Sequence, residues 1–130
     1  VRADLAGAAA QAGLSGDAVS RIKAVEALAR AEFATGRTDA AKRSAGLAVS
    51  LGRRFGWEEG LFRLYALQGQ VLARQGDQAG AQGAYGDCSR SLAQLEAGLS
   101  PGSVAAFRRT EAVREAGAVC TAHVAPAAVP

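Results

Sequence analysis

Two stretches of this chain carry one pattern. "LARAEFATGRTDAAKRSAGLAVSLG", from Leu28, and "QGQVLARQGDQAGAQGAYGDCSRSL", from Gln68, align when Gly36 is placed on Gly76, 40 residues further on. At that offset Ala29 meets Gly69, Ala41 meets Ala81, Ala45 meets Tyr85 and Ala48 meets Cys88, while Asp39 falls near Asp77. A repeat of this length, built from two helices, predicts a unit that buries its apolar face only against a neighbouring unit. The small residues then have a role. A helix pair closes to the normal spacing where one member offers a small side chain at the crossing, which predicts close packing at Gly69 and Ala81 in one unit and at Ala29 and Ala41 in the other. Gly36 and Gly76 are expected to end the first helix of each unit in the left-handed conformation, and Tyr85 to fill the space the small residues leave.

Composition agrees with helix. Apolar residues make up 49% of the chain but aromatics only 5%, so most of the apolar fraction is small, and alanine, abundant here, is the best helix former. A chain of 130 residues suits one domain with a modest core. Only Lys23 and Lys42 are lysines among the 15 basic residues, a bias that together with the alanine fits a GC-rich bacterial genome. The net charge of +3 is small, and the basic residues are interspersed with acids, so nothing in the charge pattern calls for nucleic acid. No apolar run is long enough for a membrane span and no secretory leader opens the chain, so the expected location is the cytoplasm. The first residue is Val1 and not methionine, which leaves room for a lost leader. Cys88 and Cys120 make neither a disulfide framework nor a metal motif, and both are expected to be free thiols.

Helix breaks fall at "GLSGD" (13–17), "TGRTD" (35–39), "FGWEEG" (55–60), "QGDQ" (75–78) and "LSPGS" (99–103). Between them apolar residues recur at helical spacing, with Trp57, Leu61, Leu64, Tyr65, Val71 and Leu72 on one face and Ala81, Ala84, Tyr85, Cys88, Leu92 and Leu95 on another. Asp17, Thr38, Asp77 and Ser100 stand where N-caps belong, the last followed by Pro101. About five helices and a short C-terminal piece are expected.

The series Tyr65, Gly69, Leu72, Gly76, Ala81, Tyr85 and Cys88 resembles a tetratricopeptide repeat (TPR). The first unit, Val25, Ala29, Gly36, Ala41, Ala45 and Ala48, is similar but lacks the aromatic knob, and Glu32 and Phe33 shift its large residue by one place. Residues 1–12 look like the second helix of a preceding repeat. The resemblance implies an all-α fold, a right-handed array of antiparallel helix hairpins (a TPR-like α-solenoid) with a short C-terminal helical cap. Residues 1–119 would form this domain, with units at approximately 22–55 and 62–95 and a cap at 100–118, and residues 120–130 a disordered tail. The family's usual repeat is about 34 residues. The extra six, near "FGWEEG", predict longer helices and a bent connection. Long repeats of this kind resemble those of large bacterial signalling proteins, including regulators with ATPase modules and serine/threonine kinases with C-terminal arrays. "GLSPGSVAAFRRTEAVREAG" is similar to the terminal segment of such arrays, a turn followed by two short helices carrying Phe107 and Val113.

Catalytic chemistry finds no foothold. His123 is the one histidine and sits in "TAHVAPAAVP", which reads as tail. Cys88 occupies the small slot of the repeat, and neither it nor Asp87 has a histidine within sequence reach. Glu58 and Glu59 are adjacent, so they point apart on a helix and suit its first turn. Glycines 76, 80, 83 and 86 are followed by no lysine and Ser/Thr pair that would hold phosphate. No catalytic residue, metal or cofactor is expected.

Surface remains. The resemblance implies a concave groove lined by first helices. Lys23, Glu26 and Arg30 recur three and four places apart, Lys23 aligns with Arg63 and Arg30 with Gln70 at the offset of 40, and Arg74 extends the second stripe. Such a strip suits an acidic segment or a C-terminal carboxylate. The expected function is a non-catalytic protein-protein interaction module of a larger bacterial signalling or transcription-regulating protein. The alternative is a ligand-sensing or self-associating segment that controls a neighbouring kinase, ATPase or DNA-binding domain in cis. Direct nucleic-acid binding is disfavoured by the small charge and few aromatics, and no membrane partner is expected.

Overall fold

The computed structural model describes residues 16–124, which are all-helical: α1 (Gly16–Ala34), α2 (Thr38–Arg54), α3 (Glu58–Arg74), α4 (Gln78–Ala97), α5 (Pro101–Arg109) and α6 (Glu111–Val124). The supposed helix of a preceding repeat, at 1–12, lies outside the described residues. No helix among them is long and apolar enough to cross a membrane.

Three turns share one construction. Gly36, Gly56 and Gly76 adopt φ of +80°, +69° and +84°. In each turn the amide after the glycine donates back to a carbonyl in the preceding helix: Arg37 to Glu32 at 2.8 Å, Trp57 to Gly52 at 2.8 Å and Asp77 to Leu72 at 3.0 Å. The glycine amide itself donates to the next carbonyl along, that of Phe33, Arg53 or Ala73. This paired ending satisfies carbonyls that a helix terminus would leave free, and glycine takes the left-handed conformation without a Cβ clash. The "FGWEEG" connection is therefore not bent or extended. It is the same tight turn, and the 40-residue period comes from 17-residue helices α2 and α3, each joined by three turn residues.

The caps divide. The Asp77 carboxylate accepts the Gly80 amide at 2.9 Å, and the Ser100 hydroxyl accepts the Ser103 amide at 3.3 Å, with Pro101 opening α5. Thr38 is not a cap: Arg37 holds that position with no side-chain bond, and the Thr38 hydroxyl turns back toward the Gly36 carbonyl. Asp17 lies in the first described turn of α1, and the residues before Gly16 lie outside the described residues.

Consecutive helices from α1 to α4 pack side by side, and the short turns make neighbours run in opposite directions. The positions paired by the 40-residue offset are buried in both copies: Ala29 and Gly69, Ala41 and Ala81, Ala45 and Tyr85, Ala48 and Cys88. Tyr85 fills the space that Gly69 leaves, as expected, and a Cβ at residue 69 would clash with the near edge of the Tyr85 ring. Trp57 uses a second glycine, since a Cβ at Gly60 would stand 2.5 Å from its ring carbons.

The C-terminal region departs most from expectation. α6 runs to Val124, so residues 120–124 are helical and not tail; residues 125–130 lie outside the described residues. α6 packs on α4 and α3, and Cys120 is buried and disulfide-bonded to Cys88 of α4, with Cα atoms 6.6 Å apart. Neither cysteine is a free thiol. The small slot at Cys88 faces α6, and the extra helical turn carries Cys120 opposite it. Phe107 of α5 meets Phe62 edge-on at 6.4 Å, and Arg108 reaches Glu96 of α4 through two bonds of 2.5 and 3.0 Å.

Candidate functional site: a cleft between α1, α3 and α6

Five of the six residues expected to line a groove come together. Glu26, on α1, is 6% exposed. Its carboxylate accepts from Arg30, one turn along, at 2.9 Å, and from Arg63 of α3 through Nε at 3.1 Å and Nη2 at 2.8 Å. The fork of Arg63 thus grips both oxygens, the geometry in which a guanidinium pairs best with a carboxylate. The Arg63 guanidinium also lies over Trp57, whose ring centroid is 5.4 Å from its Cζ. Lys23 and Ala27 border the same depression. Burial pushes the Glu26 carboxyl up, but the bonds and charges of Arg63 and Arg30 outweigh it and hold the group below the usual carboxylate range.

Beside this ion cluster a cleft of about 330 Å³ opens between Arg30, Arg63, Leu67 and Gln70 on one side and α6 on the other. The α6 wall is made by Ala112, Glu115, Ala116 and Val119, which recur at three- and four-residue spacing and so form one helical stripe. That stripe is legible in the sequence as "AVREAGAV", within the segment expected to be a cap, whereas the expected groove is lined by first helices. Ala112 and Ala116, the small members of that stripe, leave space beside them.

Arg74 stands apart. Its guanidinium carbon lies 3.8 Å from the Phe33 ring centroid, and Nη1 donates to the Phe33 carbonyl at 3.2 Å. The aromatic displaced by one place at the end of α1 draws Arg74 to the α1–α3 seam, away from the residues that line the cleft. Both Arg63 and Arg74 are thus held by α1, and reversing either charge acts on the fold as well as on the surface.

Three cations, Lys23, Arg30 and Arg63, surround one buried anion, with Glu115 at the far wall. Glu26 uses one donor nitrogen of Arg30 and two of Arg63, so each guanidinium keeps further N–H groups. The arrangement can hold an anionic group beside the arginines, against Ala112, Ala116 and Val119, in a wall that also carries Glu115. The side chain of His123 lies outside the described residues. No protein-family model matches this chain, no curated protein matches it, and no solved structure matches it.

Proposed function

We infer that this chain is a TPR-like array of helix hairpins serving as a non-catalytic interaction module in a larger bacterial signalling or transcription-regulating protein. The partner is a peptide segment, acidic or ending in a free carboxylate, seated in the cleft. The observation that carries the reading is the convergence of Lys23, Arg30, Arg63 and Gln70, from two helices, opposite the small-residue stripe of α6. Arginine donors on one side suit a carboxylate, the Ala112, Ala116 and Val119 side chains across the cleft suit the carbon that flanks it, and Glu26 fixes the guanidinium planes before the partner arrives. The parent proteins envisaged work in the cytoplasm.

The test is a titration of the full chain with an acidic peptide ending in a free carboxylate, followed by amide chemical shifts. Shifts should gather on residues 23–30, 63–70 and 112–119 and fade when the peptide is amidated. Gln70→Glu, which disturbs no ion pair, should weaken binding, whereas Arg43→Glu and Arg90→Glu, on α2 and α4, should not. Equal loss from both sets would make charge alone responsible, and an absence of clustered shifts would remove the cleft from consideration.

A second reading, control of a neighbouring domain in cis, draws support from the disulfide that ties the cleft's α6 wall to α4.

A further inference from the structure

We propose that the Cys88–Cys120 bond is a redox-operated latch that fixes α6 as one wall of the cleft; its effect on partner binding rests on the reading given above. The cap is thinly docked. α5 buries no residue fully and touches the body through the half-buried Phe107 and the Arg108–Glu96 pair, and in α6 the buried side chains whose positions are described are Val113, Ala116 and Cys120, with Ala112 and Val119 partly buried beside them. The covalent tie is therefore a large share of what holds α6 in place, and it lies next in sequence to Val119, a residue of the cleft wall. A reduced pair would still pack, because thiols behave as small apolar groups, so the unlatched cap is a looser folded state.

Both sulfurs belong to residues at most 1% exposed, so a reductant reaches them only when α6 lifts. The chemistry is thiol–disulfide exchange. A thiolate of a dithiol reductant attacks one sulfur and forms a mixed disulfide, and the other cysteine leaves as thiolate and takes up a proton. The reductant's second thiolate then displaces the first cysteine and closes the reductant's own disulfide. Two electrons and two protons have passed to the protein, and a small disulfide oxidant reverses the steps. In a reducing compartment bonds of this kind are transient and signal redox state.

Amide exchange of the full chain, oxidised and after treatment with a small dithiol, tests the latch without any partner. In the oxidised chain α6 amides should be protected, and reduction should speed their exchange on the order of a hundredfold, as expected for releasing a loop of this length. Amides of α2, which packs on α1 and α3, should not change. Cys88→Ala and Cys120→Ala should each show fast α6 exchange that ignores the dithiol. Unchanged α6 exchange on reduction, two titratable thiols after exposure to a small disulfide, or a dithiol response that survives in both variants would each overturn the latch. The peptide titration is then run on both forms. Weaker binding to the reduced chain joins the latch to the cleft, and equal binding refutes that link. Binding to neither form refutes the cleft reading and leaves the exchange result to judge the latch alone.

Discussion

The Tyr85 ring packs so closely on Gly69 that a Cβ on residue 69 would clash with its near edge. Gly69→Ala should therefore lower the melting temperature, and Gly69→Leu lower it further. Alanine gains about 1 kcal/mol of helix propensity there, against an overpacking cost of about 1–3 kcal/mol. Tyr85→Ala should cost about 3–5 kcal/mol, and Phe107→Ala, half-buried in α5, less. In a double-mutant cycle Gly69→Ala should cost little once Tyr85 is alanine. Additive costs would show that the two residues do not share the site.

Gly56 and Gly46 make a pair of opposite sign. Gly56 has φ of +69°, so Gly56→Ala should destabilise by about 1–2 kcal/mol. Gly46 lies inside α2 with open space where its Cβ would go, and Gly46→Ala should stabilise by about 0.5–1 kcal/mol. Chemical denaturation of both variants decides, and a loss at Gly46 matching that at Gly56 would contradict the turn assignment.

The ion cluster predicts an acid limb in stability. Glu26 ionises below its ordinary value of 4.5 in the folded chain, so the folded state favours its charged form. That contribution is complete above about the unfolded value and lost as pH falls through the lower folded one. Glu26→Gln should flatten this part of the stability-pH curve, measured against wild type because Glu96, lowered by its bonds from Arg108, adds in the same direction. Glu26→Ala should cost about 1–3 kcal/mol at neutral pH, below a fully buried pair because the arginines can rehydrate. An unchanged acid limb in Glu26→Gln would place the titration elsewhere.

Ending the chain after Val119 removes Cys120 and should cost about 2–4 kcal/mol. Thermal unfolding of the oxidised proteins measures it. A truncated chain as stable as the whole would mean that α6 is held by its apolar contacts alone.

What could be read from the sequence depended on whether the signal was local. The turn glycines Gly36 and Gly76 and the caps Asp77 and Ser100 follow from conformational needs within a few residues. The break at Gly56 is legible as well, but aligning whole hairpins assigns it to an inserted segment, although it obeys the same rule as Gly36 and Gly76. The charge stripe located Lys23, Glu26, Arg30, Arg63 and Gln70, but spacing along one helix does not state what faces it. Glu26 consequently emerged as an ion-pair anchor and Arg74 as a stack on Phe33. The Cys88–Cys120 pairing was hidden because it depends on how α6 crosses α4, a tertiary relation with no short-range mark.

The equal spacing of Gly36, Gly56 and Gly76 also restricts how this chain can change length. Loss of a single helix with its turn would reverse the direction of everything that follows, whereas loss of two restores it. A smaller insertion within a helix rotates the later side chains by about 100° per residue. In α4, one residue added before position 85 would swing its ring away from Gly69 and carry Cys88 off its partner. Variants of this chain that keep its architecture should therefore gain or lose helices in pairs, and accept single-residue changes of length chiefly outside the evenly spaced block.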